Sequence, residues 1–373
     1  MITQGYVNSA PADVGVRTEG LARLNQFFLD AIEAKNIQAA GYIVSRNGKI
    51  FAHNAMGSLS GIQEDGGAFL PDSIHNIASA TKVFTAAAIM KLVEQGKISL
   101  EQPVSTILPE FANPTHEIIS IMHLVTHTSG LRADPGAHNE PYPRPFWSDE
   151  MNAKNWIPAM LEGPLQYPIG EVWNYCTAGF QLLGEVVSKV SGMAYPEFMQ
   201  QYFFDPLEMT RTFFDVPDEY RASVCIVDET DMMGLDWVRN PELVGSWLAG
   251  GGIYSTPMDI WKFGQMILDK GAYNGNPILS RKIVEAMTRN HLVSVPSYNW
   301  GIHTKDKQVG VSWEIDKDPT FSPGTVSHEG FGWTSLFIDP QEGLVYVGIT
   351  PTKADWWVAK PMIPRTLVLS SLE

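Results

Sequence analysis

The chain has 373 residues, 44% of them hydrophobic and 18% charged, an ordinary globular composition with length for one large core or two modest ones, which excludes a disordered or fibrous protein. Acidic residues outnumber basic ones, 41 to 26, for a formal charge of -15, so neither nucleic acid nor an anionic membrane surface is expected as a partner. Two cysteines, Cys176 and Cys225, are too few for a disulfide framework and are read as free thiols.

The first twenty residues lack the basic start, apolar core and small-residue cleavage site of an export signal. No run approaches the roughly 18 apolar residues of a membrane span. With Met1 as the natural start, a cytoplasmic protein is expected.

The spacing of Leu21, Leu24, Phe27, Phe28 and Ile32 predicts a helix with one buried face over about Thr18 to Ala34. Ala40 to Ser45, the Asn47-Gly48 pair and Ile50 to His53 read as a β-hairpin, because the pair tolerates positive φ at both central positions. After Ser79, apolar residues from Val83 to Val93 cover most of a helix circumference before Gly96 offers a stop, so that helix is expected to be buried nearly all round. From about Leu100 to Gly250 the chain reads as mostly helical, with segments at Ala178 to Val190 and Tyr195 to Phe204. Strands are expected again at Gly252 to Ser255, Gly310 to Ile315, Thr334 to Ile338 and Leu344 to Ile349. A helix opened by Thr256 and Pro257 lies among them, and a last helix over about Trp357 to Leu369 closes the chain. Strands from both ends with helices between predict an α+β fold. Its sheet domain is discontinuous, residues 1–99 with 251–373, and carries an all-helical insertion over 100–250.

Several common catalytic motifs are absent: no G-x-S-x-G, no phosphate-cradling G-x-x-x-x-G-K-[ST], no G-x-G-x-x-G and no H-E-x-x-H. Ser79-Ala80-Thr81-Lys82 is the one place where lysine follows serine by three residues. At the mouth of the buried helix, Ser79 and Lys82 are expected to share a face, near N–H groups that favour developing negative charge. A serine hydroxyl is a weak nucleophile until a neighbouring base takes its proton, and a desolvated lysine can be that base.

The run Pro168 to Phe180 places Tyr175 at a loop-to-helix junction, where a phenol can share a proton with Lys82 and pass it to a leaving group. Ser327-His328-Glu329-Gly330-Phe331-Gly332-Trp333 precedes a late strand. If His328 starts an edge strand, alternation sends His328 and Gly330 to one face and Glu329 to the other. Gly330 then admits close approach of a substrate, and the backbone N–H groups of Ser79 and Phe331 form an oxyanion hole. His123 and His127 stand four apart, yet no glutamate accompanies them as in metalloproteases, and no metal is expected.

These three motifs, in this order, resemble the serine β-lactamase and penicillin-binding-protein superfamily, and in particular the class C β-lactamase-like, family VIII carboxylesterases. Leu124 to Leu131, Pro206 to Thr210 and Ala249 to Asp259 are similar to stretches of that family, so the resemblance spans about residues 18 to 370. It implies a β-lactamase/transpeptidase-like fold, an antiparallel sheet flanked by helices plus the all-helical insertion, with the active site in the cleft between them. It also implies an acylated Ser79, a proton-handling pair of Lys82 and Tyr175, and substrate contacts from Thr177, His328 and Gly330. Two departures bear on substrate. Thr177 stands where lactamases and peptidases of the superfamily usually carry asparagine, so the amide that grips a substrate amide is missing. His328 stands in place of lysine and is mostly neutral at pH 7 when unperturbed.

The expectation is therefore a cofactor-free serine hydrolase acting on a small-molecule ester or amide, foremost small acyl esters. Acyl transfer from the same acyl-enzyme, β-lactamase or D-amino-acid peptidase activity, and a non-catalytic sensor or scaffold are the alternatives. Oligomeric state is left open.

Overall fold

The computed structural model of the protein describes residues 1–63, 66–132, 156–239, 249–299, 303–315, 318–352 and 362–373. In chain order the strands are β1 (Ile2–Gln4), β2 (Ala39–Arg46), β3 (Lys49–Gly57), β4 (His75–Asn76), β5 (Tyr254–Ser255), β6 (Ala272–Tyr273), β7 (Asn276–Pro277), β8 (Glu314–Ile315), β9 (Val326–Gly330), β10 (Thr334–Asp339) and β11 (Leu344–Ile349). One antiparallel sheet of order β1-β3-β2-β11-β10-β9-β8 is the frame of the molecule, and β4 with β5 and β6 with β7 make two small pairs.

The β2–β3 hairpin turns on Asn47 (φ 50) and Gly48 (φ 75), both left-handed, the conformation that a two-residue turn of matching twist requires. The β10–β11 connection is capped by Asp339, whose Oδ1 accepts the N–H groups of Gln341 and Glu342 at 3.1 Å. Strands β2 and β11 pair from Gly41 with Ile349 to Arg46 with Leu344, joining the two ends of the chain in mid-sheet.

Alternation along the strands explains the layering. Ile43, Val345, Val347, Leu336 and Ile338 belong to the large core on one face. Tyr42, Val44, Leu344, Tyr346 and Phe337 belong to a second core on the other, as the two-residue period of a strand buried on both sides demands. The outer face is covered by the helix Thr18–Glu33, which brings Leu24 and Phe28, and by the helix Met362–Leu369 packed beside it. The inner face receives the helix Pro257–Leu268, opened by Thr256, whose side chain accepts the Asp259 N–H. Under it lies the central helix Thr81–Glu94, in which every residue from Thr81 to Met90 is buried, and Gly96 follows its end at φ 69.

Between residues 100 and 250 the described chain contributes helices and no strand to the seven-stranded sheet. Its helix Thr177–Ser191 packs on the central helix, and the segment before that helix is thereby carried to the central helix's start.

Two sequence expectations change. Gly310 to Ile315 yields only β8, because Ser312 takes a left-handed φ of 69 and hands its N–H to Val125 O. Strand β5 is shorter than Gly252 to Ser255 and pairs with β4 outside the main sheet. The last helix is seen from Met362, and residues 353–361 lie outside the described residues. Cys176 and Cys225 are buried free thiols. No helix among the described residues is long and apolar enough to cross a membrane.

Candidate active site

Ser79 lies in a 3-10 turn, Ala78–Ala80, that runs directly into the central helix. This is the helix mouth at which the sequence placed it. The turn is forced by Ala78, which adopts φ 46, a strained value for a residue with a Cβ. Asn76 Oδ1 holds it by accepting the Ala78 N–H at 2.9 Å. Lys82, one turn on, is fully buried. Its Nζ donates to Ser79 Oγ at 3.0 Å and to the carbonyl of Gly250 at 2.7 Å. It also lies 4.9 Å from the centroid of the Tyr175 ring and 5.8 Å from that of Phe180. The structure therefore gathers Ser79, Lys82 and Tyr175 around one amine.

Tyr175 reaches this point because it immediately precedes the helix Thr177–Ser191. Its backbone N–H donates to Asn299 Oδ1, and its ring stacks on His127 with centroids 4.5 Å apart. Thr177 opens the same helix and lies against Gly250, where an added Cβ would sit 2.6 Å from Thr177 Cγ2.

Strand β9 supplies the opposite wall. It starts at Val326, and β8 covers Val326 and Ser327, so His328 does not start an edge strand. The predicted alternation holds: His328 and Gly330 are buried, while Glu329 points the other way to an ion pair with Arg365. A Cβ on Gly330 would lie 2.0 Å from Ile77 O and 3.3 Å from Ala80 N. Only glycine lets the strand end touch the turn that bears Ser79. Phe331 follows with an exposed ring, and the backbone N–H groups of Ser79 and Phe331 have no hydrogen-bond partner among the described residues.

Burial pushes His328 down to about 4, with the Lys82 charge adding to the effect and Glu314 opposing it. Its Nδ1 meets Glu329 O at 2.8 Å, a contact that places the proton on Nδ1. Burial and the Lys82 charge also push His127 well below the usual imidazole range. Glu314 would be raised by burial, yet the Lys307 charge and hydrogen bond, at 2.7 Å, hold it below the usual carboxylate range.

A neutral buried His328 makes acid destabilising. The unfolded chain binds its proton below about pH 6.5, whereas the folded chain refuses it until about 4, so the stability contribution is complete above the first value and lost towards the second. His328→Gln is expected to flatten the loss of melting temperature between pH 7 and 4.5, removing up to about 3 kcal/mol of pH dependence. Parallel melting curves for the two proteins would contradict this.

Sequence reasoning missed three residues of the site. Gly250 holds Lys82 through its carbonyl, His127 backs Tyr175, and Asn299 fixes the Tyr175 backbone. Gly250 stood in a stretch with family likeness and His127 was weighed only as half of a metal pair with His123; a contact made by a carbonyl or a ring face leaves no signature in residue type. His127 lies beyond the helix Ile121–Val125 at φ 57, so it shares no helix face with His123. No cluster of three metal-ligating side chains occurs among the described residues.

The chain belongs to the β-lactamase family, whose model matches residues 24–355. Protein Rv1367c of Mycobacterium tuberculosis is 30% identical over 322 residues, 78% of this chain and 75% of that one. The esterase EstB of Burkholderia gladioli is 31% identical over 199 residues, half of each chain. Among solved structures, EstCE1, described as a hydrolase with promiscuous acyltransferase activity, superposes with a TM-score of 0.75 at 19% identity, covering 94% of this chain and 99% of its own. The fold is the β-lactamase/transpeptidase-like one that the motifs implied.

Proposed function

We propose that the protein is a serine hydrolase that cleaves small acyl esters through an acyl-enzyme on Ser79. The observation that carries this reading is the buried Lys82 amine 3.0 Å from Ser79 Oγ. Lys82, once it has given its ammonium proton up to solvent, takes the hydroxyl proton while Oγ attacks the ester carbonyl carbon. The carbonyl oxygen gains the negative charge and is met by the Ser79 and Phe331 N–H groups. The C–O bond to the alcohol then breaks, Tyr175 gives its proton to the departing oxygen, and Lys82 returns a proton to Tyr175. Water repeats the sequence on the acyl-enzyme and releases the acid. The site lies between the sheet with its covering helices, residues 1–99 with 251–373, and the helical segment 100–250.

Esters are favoured over lactams and D-amino-acid peptides because Thr177 offers no amide and the neutral His328 offers no cation for a substrate carboxylate. The relationship to EstB, an esterase, points the same way. EstCE1 is described as capable of acyl transfer, and an alcohol that reaches the acyl-enzyme before water would give that product here.

A fluorophosphonate probe is expected to label Ser79 alone, read as one mass shift on its peptide. Short-chain p-nitrophenyl esters are expected to turn over much faster than a chromogenic cephalosporin or a D-alanyl anilide. A label elsewhere removes the nucleophile, and the reverse ranking moves the function to lactamase or peptidase.

A further inference from the structure

Beside Tyr175 the chain builds a small pocket lined by His127, Trp173, Tyr175, Val309, Ser312, Glu314 and His328. His127 Nδ1 accepts the N–H of Cys176 at 3.0 Å, which leaves the ring proton on Nε2. That Nε2 is buried with no hydrogen-bond partner among the described residues, and so is Ser312 Oγ. Both residues are 3% exposed. Both also sit in left-handed backbone, at φ 57 and φ 69, an unfavourable conformation for side-chain-bearing residues.

Two strained residues that line one space, each with a buried polar atom that has no partner among the described residues, are costly unless that space is filled by a polar group. The free space is about that of a single water molecule. The lining matches water's bonding capacity. His127 Nε2–H and Ser312 Oγ–H donate; His328 Nε2, left as an acceptor by the Nδ1 contact with Glu329 O, and the Glu314 carboxylate accept. The Lys307 ion pair keeps Glu314 charged and therefore accepting.

We infer that this pocket binds one ordered water, and that His127 and Ser312 are positioning residues that act through it to hold Tyr175 and His328 beside Lys82. His127 does so from two sides, because the ring that donates into the pocket also stacks on the phenol at 4.5 Å. This rests on the reading of Tyr175 as the proton-handling group.

A crystal structure of the whole protein, at a resolution that shows solvent, is expected to place one water within about 3.2 Å of His127 Nε2 and Ser312 Oγ. Ser312→Ala carries the kinetic test, since replacing His127 would orphan the Cys176 N–H and endanger the fold. It is expected to lose the water and to lower kcat on a p-nitrophenyl ester roughly tenfold, with KM and melting temperature little changed. A dry pocket in the unmodified protein, or wild-type kcat in Ser312→Ala, overturns the inference. Failure of the fluorophosphonate to label Ser79 would instead overturn the reaction, and the water would still decide the pocket.

Discussion

Lys82→Met is expected to abolish measurable ester turnover, with a fall of at least roughly 10² to 10⁴-fold, while the protein stays folded. The side chain is fully buried and its amine contacts both Ser79 Oγ and Gly250 O. Methionine fills the same channel with no group that can accept the hydroxyl proton. The stability change is the difference of two opposed terms. Gly250 O loses a donor, which costs about 1–3 kcal/mol. Removal of a buried amine from a mostly apolar helix recovers a desolvation penalty of similar size. The melting temperature is therefore expected to move by only a few degrees. Steady-state kinetics beside thermal melting checks both parts, and a variant that keeps turnover within a few-fold of the parent would dismantle the proton relay.

Gly330→Ala is expected to be nearly as damaging, through sterics alone. The new Cβ would lie 2.0 Å from Ile77 O, an overlap with backbone that no rotamer relieves, so β9 or the Ala78–Ala80 turn must retreat by an ångström or more. A displacement of that size between nucleophile and oxyanion donors costs roughly 10²-fold in rate, and the strain costs about 1–3 kcal/mol in stability. A p-nitrophenyl ester assay and a melting curve read the two effects. Parent-like turnover would mean that the strand end and the Ser79 turn do not work as one unit.

What could be read from the sequence was what residue type and period encode. Asn47-Gly48, the all-round apolar pattern from Val83 to Val93 and the Thr256-Pro257 start each carry a local physical constraint, and each appears where that constraint places it. Ser79, Lys82 and Tyr175 were singled out by their motifs and the family resemblance those motifs carry, and the fold brings Lys82 Nζ to 3.0 Å from Ser79 Oγ and 4.9 Å from the centre of the Tyr175 ring. The strand expected at Gly310 to Ile315 failed because a tertiary contact, the Ser312 N–H to Val125 O, outweighed local β preference. His127 and Gly250 were opaque for a different reason: one acts through a ring face and a neutral nitrogen, the other through a carbonyl that every residue possesses. The depressed His328 was equally hidden, since burial and the Lys82 charge exist only once the chain has folded.

The pairing of β2 with β11 couples Arg46 to Leu344, about 300 residues away. A ribosome therefore releases the first hairpin long before its sheet neighbour is synthesised, and the apolar flanks of β2 must wait, exposed, for nearly the whole chain. Such long-range closure is expected to make refolding slow and sensitive to concentration, with shielding of those waiting strands during translation as the step that protects yield.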